Sequence, residues 1–299
     1  MPRERVATLA IFASAFAFGF LSVLTKLALE AGARPLPLTA WRFTIAAALV
    51  WLVVGVSHRR RPSGLAIVAL VALGAIYAVD ALSFTFALRW IPASTATLIF
   101  YTYPVVVIVL AAMLLGERLT SRRLVAVALA VVGCGLLVGI GAQDVNPVGV
   151  ALVLLAVAAL SLYLVSGRKV LPALPAVGSA AVIITATAIV STAAATGARQ
   201  WQLGGGGRAV VFMLLLAVFS TALPITLLAI GLRYVDAGRA SIYSTIEPVI
   251  TVIAASLVLG ERIGPFQYVG GALILAAVVW LRLERPLPQS EYPTPFDSP

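Results

Sequence analysis

The sequence predicts an all-α integral membrane fold of ten transmembrane helices, arranged as two inverted five-helix repeats. Three observations predict it: an apolar composition, a regular succession of membrane-length apolar runs, and an internal repeat that joins the two halves. Of 299 residues, 62% are hydrophobic and 11% charged, and mean hydropathy is +1.07. A water-soluble domain of this length needs a far larger polar surface.

A bilayer core of about 30 Å asks for about 20 apolar residues per helix. In the first half the runs are Val6 to Leu29, Leu36 to Val56, Leu65 to Leu88, Ala93 to Leu115 and Leu124 to Ile140. In the second they are Val148 to Val165, Val177 to Ala195, Val210 to Gly231, Ala237 to Leu259 and Phe266 to Leu281. The first run is too long for the core of a signal peptide and reads as a retained helix. These runs divide the chain into repeats at 1–141 and 142–281, followed by 282–299, a proline-rich polar tail predicted to be disordered in the cytoplasm.

Charge sets the orientation. The formal net charge is +10, but lysines and arginines occur in ones, twos and threes between apolar runs, not in a tract suited to nucleic acid. With the N-terminus in the cytoplasm, 14 of the 21 basic residues face that side and five the other, while Lys26 and Arg42 lie inside helices. The positive-inside rule therefore predicts cytoplasmic termini.

The repeat runs from Arg89 to Leu129 and again from Arg233 to Leu273, at a constant offset of 144 with 13 of 41 positions identical. Pro104 matches Pro248, and Leu115-Gly116-Glu117-Arg118 matches Leu259-Gly260-Glu261-Arg262. Five helices per half is an odd number, so the second half enters the membrane the other way. Inverted halves that exchange conformations are a recurring plan of secondary carriers.

These paired proline and Gly-Glu turns, the ten-helix pattern and Trp41-Arg42-Phe43 in the second helix resemble the drug/metabolite transporter superfamily, EamA type, over residues 1–281. Within it the chain is most similar to the YddG-type aromatic amino-acid exporters. The resemblance implies a multi-pass protein of the bacterial inner membrane that exports aromatic or other apolar amino acids.

Ionisable groups inside a bilayer are costly and mark candidate sites. Asp80 falls near the middle of the third helix and Glu247 near the middle of the ninth. Each is placed to meet a substrate ammonium, to exchange a proton, or to lock helices together through Lys26 or Arg42. Tyr77, Asp80 and Phe84 share one helical face, and Thr97, Tyr101 and Pro104 share another, with Tyr103 beside them. Ser241, Ser244, Pro248 and Thr251 form the matching stripe in the second repeat, and Ser161 and Tyr163 add polar groups on the sixth helix. Aromatic walls with a few polar groups suit an amphipathic small molecule. Pro104, Pro224 and Pro248 each remove a helix hydrogen bond and are candidate kinks that open a cavity.

No cofactor is indicated. A phosphate-binding Gly-rich loop ending in Lys-Ser/Thr is absent, which excludes direct use of ATP. One histidine and one cysteine, His58 and Cys134, do not make a zinc site. The expected partners are the lipid bilayer and a small organic solute, carried by alternating access around a mid-membrane cavity. Exporters of other metabolites or drugs remain open at this level. An intramembrane lipid-modifying enzyme would need a nucleophile paired with a base, and a channel would need a filter motif; neither is visible.

Overall fold

Apolar runs in which nearly every backbone group must be satisfied internally leave helices as the available structure. The computed structural model describes residues 2–56, 62, 64–115, 120–139, 146–167, 170–171, 174–231 and 246–282. Among these the regular structure is entirely helical. The helices of the first repeat are α1 (Pro2–Gly19), α2 (Leu21–Glu30), α3 (Pro35–Val56), α4 (Leu65–Ala87), α5 (Ala93–Phe100), α6 (Tyr103–Leu115) and α7 (Ser121–Gly139). Those of the second are α8 (Pro147–Gly167), α9 (Ala176–Gly197), α10 (Gly206–Ala217), α11 (Leu223–Gly231), α12 (Ile246–Leu259) and α13 (Pro265–Arg282). A π turn over Val218–Ala222 joins α10 to α11.

Among the described residues seven helical stretches are long and apolar enough to cross a bilayer, and Ile246–Leu259 and Pro265–Trp280 are shorter apolar helices. The fifth predicted run is α7, a 19-residue helix. The predicted tail over 282–299 is described only at Arg282, which ends α13; the rest of it and the Gly116-Glu117 turn lie outside the described residues, as does the start of the ninth run.

Three predicted helices are broken rather than continuous. The first bends at Phe20 into α1 and α2, the fourth at Tyr101 and Thr102 into α5 and α6, and the eighth at the π turn. Each break frees backbone carbonyls, which inside a membrane need new donors. The donors come from neighbouring helices and are short hydroxyls. Ser220 Oγ donates to the Ala17 carbonyl (2.9 Å), Thr251 Oγ1 to that of Gly19 (2.7 Å), and Ser14 Oγ to that of Pro224 (2.7 Å). Pro104, Pro224 and Pro248 all sit in the first turn of a described helix. At Pro104 the missing N–H is one that a helix start leaves unpaired anyway, whereas α11 continues directly from the π turn, with the Leu223 N–H donating to the Val218 carbonyl.

The halves pack on each other in a pattern that survives exchange of the repeats. Helix α3 packs on α9 and α7 on α13, each a helix against its own counterpart, and α5 of the fourth run packs on α12 of the ninth. The contact of α4 with α8 has its counterpart in that of α1 with α11. Where helices approach closely a glycine stands at the crossing: a Cβ on Gly74 would lie 2.6 Å from the Ile183 carbonyl oxygen. The core runs through Val23, Phe84, Ile99, Tyr101, Val157 and Ile274. Large apolar side chains such as Leu9, Leu52, Val68, Met113 and Leu257 stay exposed, as expected of a surface solvated by lipid.

Candidate functional site

Helix α4 carries the centre of the site because its one-face spacing of Tyr77, Asp80 and Phe84 points all three inward. Tyr77 stacks edge-on to Phe43 of α3 (ring centroids 6.0 Å) and packs on Tyr163 of α8 (5.5 Å). Phe84 meets Phe100 of α5 (5.0 Å), which meets Tyr103 of α6 (5.9 Å), which meets Tyr101 (5.9 Å). Two strings of rings thus converge on α4, with Asp80 between their points of attachment. Such pairs hold rings at defined angles and contribute about 0.5–1.5 kcal/mol each beyond buried area.

Asp80 is buried, 5% exposed, and its Oδ1 has no hydrogen-bond partner. Arg42, 4% exposed, donates from Nε to Thr221 Oγ1 (2.7 Å) and lies 4.7 Å over the Phe43 ring. Thr221 Oγ1 donates in turn to the Leu216 carbonyl (2.8 Å), so the π turn of the second repeat holds the arginine of the first. Tyr77 lies within electrostatic reach of Asp80, Arg42, Tyr163 and Glu247. Glu247 is half-buried in the first turn of α12, immediately before the buried Pro248.

Of the candidates read from sequence, Tyr77, Phe84, Tyr101, Tyr103 and Tyr163 fall into the two ring strings, and Asp80 lies between them. Tyr101 is 3% exposed and belongs to the packed core, whereas Tyr77, Tyr103 and Tyr163 are only half-buried. Ser161 donates to the Val157 carbonyl (2.7 Å) and lies 3.3 Å from that of Tyr103. Ser241 and Ser244 lie outside the described residues. Sequence reasoning passed over Thr221, Phe43 and Phe100. Only the sequence neighbourhood of Arg42 hinted at Phe43, and nothing local pointed to Thr221, which is 179 residues away.

Lys26 does not join this cluster. Its Nζ donates to the carbonyls of Leu88 (2.8 Å) and Ile91 (3.2 Å), at the turn after α4. It also borders a cavity of about 350 Å³ with Glu30, Arg34 and Arg89. At the same turn Glu261 holds the start of α5, and Arg34 N–H donates to the Leu203 carbonyl (2.7 Å). The turns after the first, third, seventh and ninth runs therefore meet one another.

The family model for EamA-like transporters matches this chain twice, over residues 5–139 and 147–283. The chain belongs to the EamA-like transporter family. Family membership makes it a multi-span membrane transporter with two EamA repeats, and it places the chain in the superfamily that the sequence motifs resemble. Among curated relatives, an uncharacterized transporter of Archaeoglobus fulgidus is 39% identical over 64 residues, 21% of this chain and 24% of its own length. The threonine/homoserine exporter RhtA of Escherichia coli K12 is 32% identical over 168 residues, 53% of this chain and 55% of its own length. The matches thus span about half or less of these relatives. A protein of known crystal structure superimposes with a TM-score of 0.66 at 20% identity, covering 93% of this chain and 98% of its own. At that identity the likeness concerns fold alone.

Proposed function

We propose that this member of the family is a secondary carrier of the bacterial inner membrane that exports amino acids with aromatic or other apolar side chains. The observation that carries the reading is the α4 face, where buried Asp80 stands between two strings of aromatic rings. A carboxylate beside ring walls suits a solute with a cationic amine and an apolar body. The substrate then lies between α4, α6, α8 and α12, beside Tyr77, Phe84, Tyr103, Tyr163 and Glu247, with Ser244 as a further candidate contact. Breaks before Pro104 and Pro224 give the half-helices freedom to move as access alternates, with Pro248 as the matching proline of the second repeat. Ten spans, inverted repeats and cytoplasmic termini complete the reading. The meeting of the turns that follow the first, third, seventh and ninth runs supports the inversion, because an uninverted second half would put the seventh and ninth turns at the opposite end.

The export of threonine and homoserine named for RhtA favours a second substrate class, small polar amino acids. One assay separates them. Purified protein in liposomes is tested for saturable counterflow against each amino acid in turn. Phenylalanine, tryptophan, tyrosine and leucine are expected to exchange best. Preference for threonine and homoserine would select the second class, and no saturable exchange with any amino acid would reject both.

A further inference from the structure

Asp80 and Arg42 are an acid and a base, both almost fully buried, and near enough to interact electrostatically. Yet among the described residues they do not close an ion pair: Asp80 Oδ1 is unpartnered, and Arg42 is engaged through Nε by the hydroxyl of Thr221. A buried acid and base serving only to lock helices would hydrogen-bond each other in either protonation state of the acid, because a buried polar atom left without a partner is costly. Inside a bilayer the penalty marks function. What is left open is specific in chemistry. Asp80 offers a carboxylate oxygen to a donor, and Arg42 keeps a guanidinium fork whose planar N–H groups match a carboxylate. Tyr77, one turn from Asp80 on α4 and in contact with Phe43, stands beside both. The complement to this arrangement is a molecule that carries both a cation and a carboxylate, with an apolar group beyond them.

We propose that Arg42 and Asp80 together hold the α-carboxylate and α-ammonium of a zwitterionic amino acid, leaving its side chain to the rings of Tyr77, Phe84 and Tyr103. The proposal rests on the amino-acid reading above and deepens it: the main-chain end of the substrate is recognised by charge from α3 and α4, and selectivity among amino acids is left to the aromatic strings.

The test uses the full chain in liposomes preloaded with phenylalanine. External phenylalanine, 2-phenylethylamine and 3-phenylpropionate are compared as exchange partners; the second lacks the carboxylate and the third the ammonium. Only the zwitterion is expected to exchange, each analogue being weaker by ~100-fold, as follows from leaving one buried charge unpaired. Asp80→Asn should collapse the preference for phenylalanine over 3-phenylpropionate, and Arg42→Gln the preference over 2-phenylethylamine. Where either variant fails to elute as a single folded species, the wild-type series decides. Exchange of either analogue by wild type within about threefold of phenylalanine, or variants that shift the opposite preference, would overturn the clamp and leave amino-acid export standing. Absence of exchange with every amino acid would overturn both.

Discussion

Glu261 caps Ser94. Its carboxylate accepts from the Ser94 N–H (2.9 Å) and hydroxyl (2.5 Å) through one oxygen and from the Ala93 N–H (2.6 Å) through the other. The acid belongs to the second repeat and the helix it caps, α5, to the first. Lys26 satisfies the end of α4 across the same turn, donating to Leu88 and Ile91. An anion thus stands at a helix start and a cation at a helix end, each matched to the backbone dipole it meets.

Removing this cap should weaken the fold without touching the ring strings. Glu261→Ala is expected to lower stability by about 1–2 kcal/mol, the range for lost charged caps, and Glu261→Gln by less because one acceptor oxygen remains. Thermal unfolding of the detergent-solubilised protein measures both. An unchanged melting temperature for Glu261→Ala would show that the contact is incidental.

The Gly-Glu turn was legible in the sequence as a repeated motif, but its work was not. Gly260 adopts φ +66°, the left-handed region that glycine enters without strain; that much a helix-ending glycine suggests by itself. The partner of Glu261 lies 167 residues earlier, and no local pattern encodes it. The same holds for the helix breaks. Pro104 and Pro224 announced two of them, whereas the break at Phe20 carries no proline and is stabilised by Ser220 and Thr251 from the other repeat. Helix existence followed from hydropathy because the bilayer imposes it on each segment separately. Pairing of Arg42 with Thr221 depends on how segments meet, which hydropathy does not record.

The inverted arrangement has a direct test. In a background with Cys134→Ala, single cysteines at Arg118→Cys and Arg262→Cys should label from opposite faces of the membrane, the first from the cytoplasm and the second from outside. A membrane-impermeant maleimide applied to intact cells and to inverted vesicles reads this out. Labelling of both from one face would end the inverted-repeat reading.

Aromatic selectivity should reside in the half-buried rings. Tyr77→Ala removes the contacts with Phe43 and Tyr163, and Tyr103→Ala those with Phe100 and Tyr101. Each lost ring contact is worth about 0.5–1.5 kcal/mol, or roughly 2- to 12-fold in affinity. Tryptophan exchange is expected to fall by that factor while alanine exchange changes little. Tyr101 is a poor probe, because truncating a ring packed in the core costs roughly 3–5 kcal/mol of stability. Equal losses for tryptophan and alanine would make the rings structural.

Substitution of Glu247 tests how transport is driven. It stands in the first turn of α12, directly before Pro248, and within electrostatic reach of Tyr77. A proton-coupled exporter needs a carboxylate that changes its protonation between the two facing states and pays out that proton with each cycle. Asp80 is a poor fit to that role if it meets a substrate ammonium every turn, since its charge is then committed to the cargo. Of the two candidate carboxylates, Glu247 is then the one to test as a proton carrier. A facilitator needs no such cycle: substrate alone moves, and Glu247 shapes the pocket. We expect wild-type flux in liposomes to follow the substrate gradient, with little gain from an imposed pH gradient, and Glu247→Gln to weaken apparent affinity without altering that insensitivity. Uphill accumulation driven by a pH gradient in wild type, lost in Glu247→Gln while counterflow persists, would establish proton coupling instead and make Glu247 its carrier.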